Sequence, residues 1–488
     1  MTKAIVIGAG IGGIATAIRL AHKGYSVEVF EANNYVGGKL STFSLGDFRF
    51  DAGPSLFTMP QFVDELFTLC GEKPHAFFEY KRKDIACKYF WEDGVQLTAY
   101  GDTDRFVQEV EQKLGVPIAT LKRYLNKAKK KFDRTRPLFL ERSLHKWKTF
   151  LRKETLVGIA NYFSFEIDTS LHKVNQSQLK EPHLVQFYNR FATYNGSNPY
   201  QTPGMMTLVQ HLEQQYGTYI PKKGMGEISN ALYELAKRQG VTFHMESKVD
   251  QISVENHKVV GIVSNGKQHN AHVVVSNMDV VPTYRKLLSG QKQPEKILSQ
   301  ERSSSAVIFY WGIAKSFPQL DLHNIFFTED YAAEFEAIFT TKSLHHDPTV
   351  YVNITSKDVP TDAPNGKENW FVMVNAPHDS GQDWELLAKQ LRERVLEKLS
   401  RILETDIAAL IEEEWIMTPN IIEARTQSYL GALYGASSNN KMAAFLRHPN
   451  FSGNIANLYF CGGSVHPGGG IPLCLLSAKV ASDLIPAP

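Results

Sequence analysis

Residues 3–31 read KAIVIGAGIGGIATAIRLAHKGYSVEVFE, and the reading of this stretch decides the fold. Lys3 to Ile7 is β-branched and ends at glycine, Ile11 to Lys23 carries apolar residues at helical spacing, and Tyr25 to Phe30 alternates again before an acid. The pattern predicts a strand, a tight turn, a helix and a second, parallel strand. Gly8, Gly10 and Gly13 stand in the turn as GxGxxG. The first makes the turn, the second lets backbone approach a pyrophosphate, and the third lets helix and strand pack closely. The helix then presents free N–H groups and the positive end of its dipole to the phosphates. Glu31 ends the second strand, where a carboxylate accepts hydrogen bonds from ribose hydroxyls and repels a 2′-phosphate.

The whole chain is consistent with such a start. Its 488 residues are 43% hydrophobic and 21% charged, which excludes disordered and fibrous classes and leaves room for about two or three structural units. Lys and Arg number 53 against 51 Asp and Glu, a net charge of +2, so no overall field points to nucleic acid. Cys70, Cys87, Cys461 and Cys474 form no CxxC pair and have no His at ligand spacing. Neither a disulfide framework nor a metal site is expected, and a reducing cytosol is. Lys3 and the uncharged run Ala4 to Ile18 have the outline of a signal peptide, but the glycines within it weaken a hydrophobic signal helix. The other long apolar stretch, Ala306 to Ala314, is far short of the ~20 residues a spanning helix needs.

Gly37, Gly38 and Lys39 follow Glu31 on a short loop beside the same phosphates, a loop that nicotinamide-binding folds lack. No second GxGxxG follows, so electrons are expected from the substrate itself, to leave to a quinone, oxygen or another oxidant. Near the C-terminus NLYFCGGSVHPGGGIP, Asn457 to Pro472, leads a strand into a glycine-rich loop and then a helix. Gly462, Gly463, Gly470 and Ile471 are candidates to lay backbone along a bound cofactor, with the helix N-terminus near the edge where negative charge collects on reduction. His466 is the one titratable residue in this loop and the candidate proton relay. No GxSxG, Walker A or HExxH motif offers other chemistry.

The order strand, GxGxxG, acid, Gly-Gly-Lys resembles the FAD signature of the amine oxidase and phytoene desaturase superfamily. Asp51 to Pro54 (DAGP) is similar to the turn placed next there, adding Gly53 and Pro54 to the expected contacts. The resemblance also implies that backbone at Val249 holds the adenine. His466 to Gly470 (HPGGG) is similar to that family's HPGAG motif. Ser276 to Tyr284, His323 to Glu329, Gly431 to Gly435 and Gly462 to Pro472 resemble the diapocarotenoid terminal oxidases, a subgroup that converts the end methyl of diaponeurosporene or diapolycopene to an aldehyde. Desaturases usually carry Thr at Val465 and Ala at Gly469. The resemblance therefore implies an FAD-dependent monooxygenase of a carotenoid polyene, with phytoene or diapophytoene desaturation as the alternative enzyme and a GDI-like prenyl or lipid carrier as the alternative without catalysis.

The middle of the chain reads as a substrate module. Between Lys122 and Lys153 stand thirteen Lys and Arg against Asp133 and Glu141, interleaved with Tyr124, Phe132, Phe139, Trp147 and Phe150. An amphipathic segment is expected whose basic side meets anionic lipid while its apolar side enters the interface, placing the protein peripherally on the inner face of the cell membrane. Gly196, Ser197, Tyr200 and Pro203 fall in a stretch resembling the family's substrate-domain turn and are the candidate substrate contacts. The expected α/β architecture is a Rossmann-type FAD-binding domain built from residues 1–100, 221–284 and 431–488. A helical, membrane-facing part at 101–220 and a mixed-sheet substrate domain at 285–430 complete it.

Overall fold

The computed structural model describes residues 2–136, 142, 143, 145, 165–440 and 447–488. The strand Lys3–Ile7 lies at the centre of a five-stranded parallel sheet. Its order is Leu458–Phe460, Val273–Ser276, Lys3–Ile7, Ser26–Phe30, Thr242–His244. Ala4, Ile5 and Val6 are fully buried, because a parallel sheet is covered on both faces and its central strand is apolar throughout. The helix Ile11–His22 packs against the helices Gly226–Arg238 and Ile471–Leu484. Three distant stretches of chain thus converge on the unit predicted from residues 3–31. The edge strand Thr242–His244 is short, since Glu246 adopts a left-handed φ of 51° that no strand accommodates.

A seven-stranded mixed sheet forms the second layer, in the order Ile411–Met417, Ser305–Ile313, Glu368–Ala376, Val350–Ile354, His323–Phe326, Ile85–Phe90, Gln96–Tyr100. Residues 85–100, read from sequence as part of the first nucleotide-binding stretch, join this sheet instead. Ile85–Phe90 finds a parallel neighbour in His323–Phe326. Every residue of Ser305–Ile313 is buried, and alternation sorts its side chains. Val307, Phe309 and Trp311 pack with Leu391, Val395 and Leu399 of the helix Trp384–Ile402, whereas Ala306, Ile308 and Tyr310 pack with Phe48, Phe50 and Phe371 on the opposite face.

The basic helix Ile118–Thr135 departs from expectation. Its apolar side faces protein: Leu121, Tyr124, Ala128 and Phe132 are buried, and Tyr124 Oη donates to Asn175 Oδ1 at 2.7 Å. Lys131 is buried too, donating to Thr207 Oγ1 at 2.9 Å and paired with Glu166. The outward side carries Lys122, Arg123, Lys127, Lys129 and Lys130, of which Lys122 pairs with Asp104 at 2.7 Å and Lys129 with Asp133 at 2.8 Å. Phe139, Trp147, Phe150 and Lys153 of the expected lipid-facing segment lie outside the described residues. Among the described residues no helix is long and apolar enough to cross a membrane.

One long-range contact ties the first sheet's helices to the chain's early hairpin. The helix Gly226–Arg238 has no side-chain cap of its own. The buried Asp51 carboxylate accepts from Met225 N–H at 2.8 Å and Gly226 N–H at 2.9 Å, and is paired with Arg49 at 3.0 Å. Removing it leaves two helix donors unmet and takes one of two carboxylate partners from Arg49, which keeps Asp362 at 3.1 Å. Asp51→Ala is expected to cost about 2–3 kcal/mol, read as a lower denaturant midpoint against wild type; an unchanged midpoint would show that the cap carries no stability.

Candidate active site

A cavity of about 840 Å³ runs from the turn after the first strand to the inner face of the seven-stranded sheet. The first turn, the Gly37 loop, the Asp51 turn and the C-terminal glycine loop all meet on its wall. Gly8, Gly10, Glu31, Gly37, Gly38 and Lys39 line it. So do Gly53, Pro54, Val249, Gly462, Gly463, Gly470 and Ile471. Gly13 stands behind the wall, where a Cβ would lie 2.1 Å from the Gly8 carbonyl oxygen; its role is the close packing of helix on strand.

The electrostatics of this end suit an anionic dinucleotide. Glu31 is buried, accepting from Ala9 N–H at 2.7 Å through one oxygen and from Asn33 through the other, and lone pairs remain for a ribose hydroxyl. The helices Ile11–His22 and Ile471–Leu484 both start at the cavity with no capping side chain and no acid in the first turn. Their free N–H groups suit a phosphate or an electron-accepting ring edge. Lys39 Nζ donates to the Leu433 carbonyl at 2.8 Å and has no ion-pair partner among the described residues. Burial pushes its pKa down, opposed by Asp279. An anion beside it would restore the favourable pairing that burial removes.

The structure adds residues the sequence reading missed. Asn277 follows the buried strand Val273–Ser276, and its Nδ2 donates to the Cys461 carbonyl at 3.3 Å. A Cβ at Gly10 would lie 2.6 Å from its Oδ1, and at Gly12 or Gly462 2.9 or 2.5 Å from its Nδ2. One amide thus sets the spacing of two glycine loops that are 450 residues apart in the chain by the numbering of Gly12 and Gly462. Its signal was positional, at the carboxyl end of a central parallel strand, where such sheets bind ligands. Asn450 is fully buried and donates to the His466 carbonyl at 2.8 Å and Ser477 Oγ at 3.0 Å. Arg447 donates to the Tyr434 carbonyl at 2.7 Å, and burial pushes its pKa down to about 10. No periodicity marks either residue.

Other candidates are placed differently from expectation. His466 lines the cavity, but its Nε2 lies 2.7 Å from the Arg142 carbonyl oxygen. That oxygen only accepts, so Nε2 carries the proton. Burial, then the neighbouring His145 and Arg447, push the imidazole pKa down to about 3, which makes it a neutral fixture of the loop and a poor base near neutral pH. Gly196, Ser197, Tyr200 and Pro203 do not reach the cavity wall. Gly196 turns with φ 62° and a Cβ there would meet Ser303 and Tyr434 at 2.8 Å; Ser197 Oγ accepts from Ser438 N–H; Tyr200 packs on His172; Pro203 precedes the turn Gly204–Leu208. They hold the wall from behind, while neighbouring Arg190, Tyr194, Met205 and Leu208 line the cavity. Cys461 and Cys474 are no nucleophiles, since burial pushes their thiols up to about 12 and 11.

Residues 11–486 match the family described as flavin containing amine oxidoreductase. The chain is 54% identical over 486 residues to a 1-hydroxycarotenoid 3,4-desaturase of Flavobacterium sp., covering 100% of this chain and 99% of the relative. It is 34% identical over 494 residues to a 4,4'-diaponeurosporene oxygenase of Staphylococcus aureus (strain MRSA252), again covering 100% and 99%. An oxidoreductase from Methanosarcina mazei shares the fold, with a TM-score of 0.66 at 16% identity over 99% of this chain and 100% of that one.

A side chain at Gly10 would close the approach of backbone to the diphosphate. Gly10→Val is therefore expected to weaken FAD binding by about 100-fold, ~2.7 kcal/mol, seen as loss of visible flavin absorbance from the purified variant; full retention of flavin would sink the site assignment. With this cavity, these loops and these full-length relatives, the chain belongs to the flavin-containing amine oxidoreductase family as a carotenoid desaturase-type oxidoreductase whose cofactor is FAD.

Proposed function

We propose that this protein dehydrogenates a carotenoid end group, forming a carbon–carbon double bond beside a hydroxylated terminus. The observation that carries the reading is the full-length 54% identity to a relative named for 1-hydroxycarotenoid 3,4-desaturation. The cavity supports it by joining the dinucleotide loops to an apolar compartment walled by Met205, Leu208, Ile325, Phe371 and Met373. Bound FAD supplies a two-electron acceptor for the two hydrogens that leave adjacent carbons. The chain's own part is to hold the polyene against these apolar walls, keep water from the reacting carbons, and seat the anionic cofactor on two helix N-termini and Lys39. Oxygen or a quinone would be the final electron acceptor.

Oxidation of a terminal methyl group to an aldehyde is the second reading, favoured by the full-length likeness to a 4,4'-diaponeurosporene oxygenase. The two departures from the desaturase motif give it no further weight. Val465 is fully buried and packed with Phe460 and Tyr284, and a Cβ at Gly469 would meet Tyr434 at 2.8 Å. Both residues are explained by local packing. Expression in one host making a 1-hydroxycarotenoid and another making diaponeurosporene separates the readings by pigment mass. Loss of two hydrogens from the hydroxylated pigment supports the dehydrogenase, and gain of oxygen by diaponeurosporene alone supports the oxygenase.

We further infer a peripheral site on the cytoplasmic face of the cell membrane, because the substrate partitions into lipid and Arg123, Lys127 and Lys130 are exposed on one helix side. Lys131 takes no part, being buried. Co-sedimentation with anionic liposomes is expected to weaken with salt and to fall severalfold in Arg123→Gln/Lys127→Gln/Lys130→Gln. Binding indifferent to salt and to these changes would defeat the assignment.

A further inference from the structure

Away from the glycine loops, the cavity wall carries a chain of polar groups. Ser55 Oγ lies 2.7 Å from Tyr351 Oη, which in turn lies 2.7 Å from His323 Nδ1, and all three residues line the cavity. The imidazole's tautomer follows from its neighbours. Asn353 Nδ2 donates to the Leu322 carbonyl at 2.9 Å, so the amide nitrogen is fixed on that side, and it also lies 3.2 Å from His323 Nδ1. An amide NH₂ only donates. Nδ1 must therefore accept, and the proton sits on Nε2.

That Nε2–H has no partner among the described residues, although His323 is 3% exposed. Burial, with the Lys83 charge, holds the ring neutral by pushing its pKa down to about 3, so the donor is a fixed neutral N–H over the working pH range. Native proteins seldom leave a buried donor unmet, because the desolvated group loses its hydrogen bond to water. A bare polyene offers such a donor nothing, whereas an alcohol offers an oxygen lone pair. Position agrees with this chemistry. In a 1-hydroxy end group the alcohol carbon stands two carbons from the 3,4 bond, so whatever binds the hydroxyl must sit close to the oxidising cofactor. The polar chain begins at Ser55, the residue next to Pro54 on the cofactor loop.

We propose that His323 is the specificity-determining donor for a hydroxylated carotenoid end group, its Nε2–H donating to the substrate hydroxyl oxygen while Tyr351, Ser55 and Asn353 hold the ring in position. This rests on the dehydrogenase reading for its substrate class, and it concerns recognition rather than the redox step.

The test uses the FAD-loaded protein in detergent, titrated with a 1-hydroxycarotenoid and with the same polyene lacking the hydroxyl, binding being read from perturbation of the flavin spectrum. Wild type is expected to favour the hydroxylated ligand by about 10- to 100-fold. His323→Leu should bring that ratio near one while keeping its FAD and its affinity for the deoxy polyene. His323→Gln, which retains an N–H donor, should keep much of the preference, and Tyr351→Phe, which frees the ring, should reduce it. A wild-type ratio near one, or an unchanged ratio in His323→Leu, would overturn the proposal. Should His323→Leu lose FAD, the Tyr351→Phe ratio decides, an unchanged value counting against. Product mass in the two-host experiment is independent of this ratio: methyl oxidation combined with a hydroxyl preference would remove the dehydrogenase reading alone, and dehydrogenation without the preference would remove His323 alone.

Discussion

A side chain at Gly13 would bring its Cβ within 2.1 Å of the Gly8 carbonyl oxygen, and the cofactor half of the molecule depends on that contact staying open. Only hydrogen at this position lets the helix Ile11–His22 lie down on the strand Lys3–Ile7. Once it does, the helix N-terminus points into the cavity, and its other faces receive the helices Gly226–Arg238 and Ile471–Leu484. The second of these brings a second uncapped N-terminus to the same cavity. A single steric requirement thus aligns two positive dipole ends on one ligand, an arrangement helices reach only when their starts are packed together.

Glycine is used in the same way where loops from distant parts of the chain meet. Gly37 turns with φ 96° and its Cβ would fall 2.3 Å from the Leu40 carbonyl; at Gly53 the corresponding distance to the Lys39 carbonyl is 2.2 Å. Around Asn277, Gly10, Gly12 and Gly462 approach a common amide. The missing side chains make room for backbone to contact a bound group directly, and the asparagine holds the loops at that spacing.

The substrate half solves a different problem, since it must enclose an apolar chain beside a charged cofactor. Strand alternation provides the division: one face of Ser305–Ile313 anchors the sheet to the helix Trp384–Ile402, and the other leaves Ile308 on the cavity wall with Phe371 and Met373. Against this apolar background the buried polar groups stand out energetically. Arg190 and Glu213 pair at 3.3 Å and Lys131 pairs with Glu166, whereas the His323 donor has no partner among the described residues. In a desolvated wall such a donor discriminates strongly between ligands that satisfy it and ligands that do not.

What the sequence determined by itself was whatever local periodicity and glycine chemistry encode. The βαβ unit, the glycine loops at Gly8, Gly37 and Gly462 and a mixed sheet within residues 285–430 were legible, because alternation and turn residues act between near neighbours. The tertiary structure alone decided which face of the basic helix is solvent, since Tyr124 and Phe132 find protein partners that the pattern leaves unnamed. It also moved residues 85–100 into the second sheet, because strand partnership depends on a neighbour more than 200 residues away, His323–Phe326. And it showed that His466 is a neutral fixture, that Gly196 to Pro203 support the wall from behind, that Asn277 and Asn450 tie the glycine loops together, and that His323 stands on the cavity wall. A hydrogen-bond partner, a burial and a protonation state are properties of residues brought together by the fold, and no spacing along the chain records them.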